Sequence, residues 1–321
     1  MHPWNEPFFQ QFRARLNRLP HALLVHGAPG VGKLALAERM TQLLLCEHAD
    51  PARRPCGECE GCRWLRAGSH PDFRRVEPEA LAKQPLEAEG EEEGSSELSP
   101  ARRTRQPSLQ IKIEQVRGLA DFLNLRSHRG QLRIALIHPA EDMNENAANA
   151  LLKGLEEPPA GAIFILVSHR PARLPATIRS RCVALGVPLP PKDAALAWLA
   201  SQNVKDAERW LAYAGGAPLR AMDYAAEAAV LDRVLKSPDI VEDREGIERL
   251  TEALQKIAID RAFSAFGLAP KYRTGKTSVP SGHALAWIRY ARWMGENRRL
   301  RRHPLNPKLF SSEMVGALPK P

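Results

Sequence analysis

Long apolar runs are missing from this chain of 321 residues. The longest, "AIFILV" at 162–167, has the length of a strand and falls far short of a membrane span. No membrane is therefore expected among its partners. The opening stretch, "MHPWNEPFFQQFRARLNRLP", has no basic start leading into an apolar segment, so no secretory signal is visible there and the cytoplasm is the expected compartment. Cysteine is scarce, at five residues. Four of them, Cys46, Cys56, Cys59 and Cys62, share one short stretch, and in a cytoplasmic chain such crowding argues for metal over a disulfide framework. Acidic residues are outnumbered: the formal net charge is +9 and the pI is near 9.5. That balance favours anionic partners, nucleic acid above all, although a solvated basic surface accounts for it equally well.

What is present is a globular composition, 44% hydrophobic and 26% charged, in a chain long enough for two or three domains. A short apolar run, "ALLVH" at 22–26, feeds a glycine-rich loop, and "KLALAERMTQLLLC" follows with apolar residues at helical spacing. Farther along, "IKIEQVRGLADFLNL" reads as an amphipathic helix, "RIALI" as a strand ending at His138-Pro139, "ENAANALLKGLEEPPAG" as a helix stopped by Pro158 and Pro159, and "AIFILVS" as another strand. Helices alternating with apolar strands predict an α/β core with a parallel sheet over 1–188. Beyond it the strands stop. A small helical unit is expected over 189–228 and further helices over 229–321. Within the core, residues 80–108 carry six Glu between 87 and 97, then Arg102, Arg103 and Arg105, with no aromatics; a mobile surface insertion is expected there. The "GKT" at 275–277 lacks a glycine five positions earlier, where Pro270 stands, and is read as a loop.

The spacing C-x9-C-x2-C-x2-C has a physical meaning. Two residues between cysteines let consecutive thiolates converge on one ion, and four soft ligands close a tetrahedral zinc site with no position left for water. Cys46, Cys56, Cys59 and Cys62 are therefore the expected ligands of a structural zinc in a knuckle over 46–62, with Cys46 closing the preceding helix. Cys182 stands apart and reads as a small buried residue or part of a loop motif rather than a ligand.

Gly27 through Leu34, "GAPGVGKL", fits seven of the eight positions of the phosphate-binding loop G-x-x-x-x-G-K-[ST]. Gly27, Gly30, Gly32 and Lys33 supply the backbone cradle and the phosphate-binding cation. Leu34 removes the hydroxyl that would hold magnesium. The acids that should follow the second core strand, "RIALI", are replaced by His138 and Pro139, and Glu141 and Asp142 come three or four positions too late. Two magnesium contacts and the carboxylate that orients water are missing together, so no functional ATP or magnesium site is expected. A weak anion site at the helix N-terminus, using N–H groups and Lys33, stays open.

Those departures acquire a context from a longer stretch. "NALLKGLEEPP" followed by "SRC" at 180–182 resembles the clamp-loader branch of AAA+ proteins, in which a four-cysteine knuckle after the first core helix also occurs. The resemblance covers nearly the whole chain and implies an AAA+ P-loop core, a helical lid and a C-terminal all-α collar. It implies a subunit of the bacterial DNA polymerase III clamp loader, of the kind lacking ATPase motifs, whose partners are the gamma/tau ATPases and the delta subunit. Through the assembly it would serve the sliding clamp and primer-template DNA. It implies further that Arg181 reaches in trans toward ATP on a neighbouring gamma/tau subunit. Ser168 and Arg220 stand where the family places a polar sensor and a lid arginine, and both are expected to be structural here. Arg298, Arg299, Arg301 and Arg302 are a solvated face or an interface or DNA-facing patch. Two other readings remain: a gamma-like ATPase with a degenerate site, and a zinc-dependent nucleic-acid-binding module built on Arg53, Arg54, Arg63, Trp64 and Arg66.

Overall fold

Five parallel strands organise the first half of the chain: β1 (Ala22–His26), β2 (Phe73–Val76), β3 (Arg133–Ile137), β4 (Ala162–Ser168) and β5 (Val183–Gly186), in the order β2-β3-β4-β1-β5. They come from a computed structural model that describes residues 1–82, 107–125, 132–275, 279–300 and 306–319. Most of the insertion expected at 80–108 lies outside these residues, as do Lys276, Thr277, Arg301 and Arg302. No helix among the described residues is long and apolar enough to cross a membrane.

Every residue of β3 and of β4 is buried. Uninterrupted apolar strands such as "RIALI" and "AIFILVS" suit a parallel sheet covered on both faces by crossover helices. The crossover helices are α2 (Lys33–Leu45), α3 (Glu60–Ala67), α4 (Ile113–Asn124), α5 (Glu145–Glu156) and the one-turn α6 (Ala176–Arg179), and α1 (Glu6–Ala14) precedes the first strand. One apolar cluster joins Leu24, Ile137, Phe164 and Leu166 of the sheet to Leu119 and Leu123 of α4, Leu151 and Leu155 of α5 and Ile178 of α6. Each fully buried Leu, Ile or Phe side chain contributes about 1.5–3 kcal/mol of transfer free energy. The parallel α/β core read from the sequence is thus present.

Two strands are additions to that reading. "FRRV" and "VALG" form β2 and β5, and they are the two edges of the sheet, with burial on at most one side. "RIALI" is consequently the third strand in chain order and not the second. Its place in the sheet is unchanged, because β3 lies between β2 and β4 with Ile137 opposite Leu166.

Chain contacts divide the molecule into two compact units, Met1–Pro188 and Leu189–Pro321. The second is all helical: α7 (Lys192–Ser201), α8 (Ala207–Tyr213), α9 (Pro218–Ala226), α10 (Ala228–Lys236), α11 (Arg244–Ala265), α12 (Ala284–Leu300) and α13 (Pro307–Gly316). Among its described residues are two apolar clusters. Leu199, Trp210 and Tyr213 centre one, while Leu250, Leu254, Trp287, Met294 and Met314 centre the other.

Candidate functional site

The carboxyl end of β1 runs straight into the glycine-rich loop, and the loop's shape depends on two of its glycines. Gly27 passes so close to the backbone that a Cβ would sit 2.2 Å from the carbonyl oxygen of Val187. Gly32 is the N-cap of α2 in a left-handed conformation (φ 81°), where a Cβ would lie 2.4 Å from the His2 ring. The N-terminal segment packs onto the same loop. Trp4 Nε1 donates to the Val31 carbonyl at 3.0 Å, Asn5 Nδ2 donates to the carbonyls of Val31 and Gly32 at 3.1 Å each, and His2 stacks on Trp4 with ring centroids 4.9 Å apart.

Lys33 opens α2 and is only 2% exposed. Its ammonium does not face solvent: Nζ donates to the Ala28 carbonyl of its own loop at 2.6 Å. Burial pushes its pKa down to about 8, against the opposing pull of the Glu141 carboxylate. The loop therefore closes on its own cation. Leu34, next along α2, brings no oxygen to this place.

His138 is the first residue after β3, with Pro139 behind it. The His138 and His169 rings meet edge to face, 5.3 Å apart and nearly perpendicular. Burial, then the neighbouring His169 and Arg75, push the His138 pKa down to about 4, so its imidazole is neutral near pH 7. Glu141 is close to this cluster, but its carboxylate accepts the His169 backbone N–H at 3.0 and 3.2 Å. Sequence reasoning placed Glu141 too late to hold magnesium and did not find this employment. Ser168, fully buried at the end of β4, accepts the Arg170 N–H on its Oγ at 3.2 Å.

Arg181 follows α6 at the surface. Its Nη2 lies 2.5 Å from Glu156 Oε1, and its Nη1 donates to the Thr177 carbonyl at 2.8 Å. Arg181 thus pairs with a carboxylate of its own chain, and Glu156, inside "NALLKGLEEPP", is a partner that residue spacing does not mark. In the helical unit Arg220 donates to both oxygens of Glu252 at 2.9 and 3.2 Å and lies over the Tyr224 ring, whose hydroxyl donates to Glu252 at 2.7 Å. Arg298 and Arg299 lie in the last turn of α12.

The cysteines are brought together. Cys46 caps the C-terminus of α2, Cys59 caps the N-terminus of α3, and Cys62 lies in the first turn of α3. Their four Sγ atoms all fall within 4.8 Å of one another, with Cys46 at 3.6 Å from Cys56 and 3.9 Å from Cys59. These separations are far longer than the ~2 Å of a disulfide. Backbone N–H groups point at the sulfurs at 3.4 Å: Cys56 N–H at Cys46, Glu58 and Cys59 N–H at Cys56, and Cys62 N–H at Cys59. The donors to Cys56 pull its pKa down to about 6, whereas burial pushes the thiols of Cys46 and Cys62 up. The group could hold a metal ion. Of the knuckle arginines, Arg54 donates to the His48 carbonyl and Arg66 to the Gly57 carbonyl, so both are used to brace the turn.

Residues 5–190 match a family model described as DNA polymerase III, delta subunit. The DNA polymerase III subunit delta' of Pseudomonas aeruginosa is 39% identical over 225 residues, which cover 69% of this chain and 60% of the relative. The subunit of the same description from Escherichia coli is 32% identical over 213 residues, covering 66% and 56%. The chain thus spans little more than half the length of these relatives. A Thermotoga maritima protein described as DNA polymerase III, gamma subunit-related superposes with a TM-score of 0.52 at 17% identity, covering 96% of this chain and 97% of that one. At that identity the likeness concerns the fold.

Proposed function

From the premise that this chain belongs to the family of DNA polymerase III delta' subunits, we propose that it is the non-hydrolysing member of a clamp loader. It assembles with gamma/tau ATPases and a delta subunit, acts in the cytoplasm, and helps to place the sliding clamp on primer-template DNA. Residues 189–228 serve as the lid and 229–321 as the collar. Arg181 is its catalytic residue, acting in trans on ATP held by a neighbouring gamma/tau subunit.

The observation that carries this reading is the state of the phosphate loop. Lys33 Nζ is bound to Ala28 inside the loop, and the points where magnesium would be held carry Leu34, His138 and Pro139. No group in that set can take magnesium as an anionic oxygen ligand, and none can orient an attacking water as a carboxylate does. Arg181, by contrast, is at the surface with a guanidinium able to bind phosphoryl oxygens. A cation supplied across an interface stabilises charge that develops on the transferring group, and it needs no nucleotide site on its own chain.

The knuckle fits a structural zinc. Four ligands at about 2.3 Å in a tetrahedron set their sulfurs about 3.8 Å apart, which the 3.6 and 3.9 Å separations match. The N–H donors to sulfur would stabilise the thiolates. Zinc would supply a crosslink between the end of α2 and the start of α3, and no reaction step.

The test is Arg181→Ala in the reconstituted loader. The variant is expected to fold normally and to lower DNA-stimulated ATP hydrolysis several-fold. Unchanged hydrolysis would remove the trans role. The retained glycines and Lys33 favour a second reading, a gamma-like ATPase with a degenerate site; magnesium-dependent turnover by the isolated chain would establish it instead.

A further inference from the structure

We propose that Glu156 is the positioning residue for Arg181: it holds the guanidinium in place for the neighbouring nucleotide. The inference rests on the reading of Arg181 as a residue acting in trans.

Glu156 is the last residue of α5. A carboxylate there faces the negative end of the helix dipole, an unfavourable position unless a cation answers it. Glu157 follows outside helical geometry (φ −124°, ψ 72°), and Pro158 and Pro159 bar the helix from continuing. The carboxylate is therefore fixed at the rim of the helix, and the cation that answers it is Arg181, with Nη2 at 2.5 Å from Oε1.

The other terminal nitrogen is held as well. Nη1 donates to the Thr177 carbonyl at 2.8 Å and approaches Ser180 Oγ at 3.5 Å. Both grips stand on rigid supports, because Leu155, beside Glu156, and Ile178, beside Thr177, are 2% and 0% exposed in the same apolar cluster. An unrestrained arginine would lose rotamer freedom on meeting a phosphate. Here much of that ordering precedes the encounter, which is how preorganisation lowers a barrier. A guanidinium has five N–H donors, and these contacts leave two for an incoming anion.

The pair has little to do for the fold. Its side chains are 33% and 49% exposed, and ion pairs so exposed contribute little to stability. Removal of Glu156 therefore leaves a folded chain in which the arginine has lost one of its two grips.

The experiment measures steady-state ATP hydrolysis by the reconstituted loader on primed DNA, with full-length chains carrying Arg181→Ala, Glu156→Ala, Glu156→Asp, or Arg181→Ala with Glu156→Ala. Glu156→Ala is expected to lower kcat about threefold or more with KM for ATP nearly unchanged, because ground-state binding lies on the neighbour. Glu156→Asp should recover at least half of the loss. In the Arg181→Ala background, Glu156→Ala should have no further effect, as two residues acting through one group are not additive. If Arg181→Ala lowers turnover while Glu156→Ala leaves it unchanged or raises it, the positioning role is wrong and the trans arginine stands. An equal loss from Glu156→Ala in both backgrounds would also overturn it. If Arg181→Ala itself changes nothing, the trans reading falls and this inference with it.

Discussion

Helix α2 carries a chemical motif at each end, and the two ends have met different fates. At its N-terminus the loop from Gly27 to Lys33 keeps its form while its cation is turned inward onto Ala28. At its C-terminus Cys46 joins three other sulfurs in a group that could hold a metal ion. The contrast shows why motif residues persist unequally. Gly27 and Gly32 are demanded by the backbone itself, one by the approach of Val187 and the other by a left-handed entry into the helix, so they remain whether or not a phosphate is bound. Cys59 also caps α3 through its sulfur, but the backbone does not demand four thiols gathered at one point. Partly buried thiols so close together are justified mainly by an ion that binds them.

The sharpest way to break this comparison is at the cysteine end. Cys59→Ser should lower zinc content from about one per chain to near zero and reduce stability by about 3 kcal/mol or more, read by metal analysis and a denaturant midpoint. Unchanged stability with zinc lost would mean that the knuckle is no more necessary to the fold than the phosphate is. At the loop end, the cost lies in the buried ammonium. The folded pKa of Lys33 is lowered to about 8 from 10.5, so between those values the unfolded chain binds more protons and stability rises with pH. Relative to Lys33→Met, the wild type should gain about 2 kcal/mol from pH 8 to pH 10.5, measured by urea unfolding at each pH. Parallel curves would mean that the lysine is not buried in charged form. The smallest effect is expected from Leu34→Thr. Restoring the hydroxyl should leave ATP hydrolysis by the isolated chain at background, because His138 and Pro139 are untouched. Turnover in that variant would reduce the difference between the two ends of α2 to a single missing oxygen.

Much of the fold was legible because the central strands are uninterrupted apolar runs. "ALLVH", "RIALI" and "AIFILVS" each became a strand where the pattern put it. The edge strands were not legible: "FRRV" sets two adjacent arginines between single apolar residues, with no alternation over its four positions, and "VALG" ends in glycine and is mostly exposed. Short one-sided strands owe their existence to a neighbour and carry little signal of their own. In the candidate site, residue types and spacing sufficed for the cysteines, since x2 spacing is a local property. They did not suffice for Lys33, whose inward turn depends on the loop's conformation. Nor did they reveal Trp4 and Asn5 against Val31, contacts made across 27 and 26 residues. Glu156 was in plain view, but its meaning required α5 and α6 side by side.

The thirteen residues of α2 also act as a ruler. At about 1.5 Å per residue they set the loop and the first thiol about 20 Å apart along one axis. An added or deleted residue within the helix would swing Cys46 by about 100°, away from Cys56, Cys59 and Cys62. Length changes in this part of the chain should therefore collect outside the helix, and between residues 33 and 45 the count itself is under constraint, independently of which apolar side chains fill it.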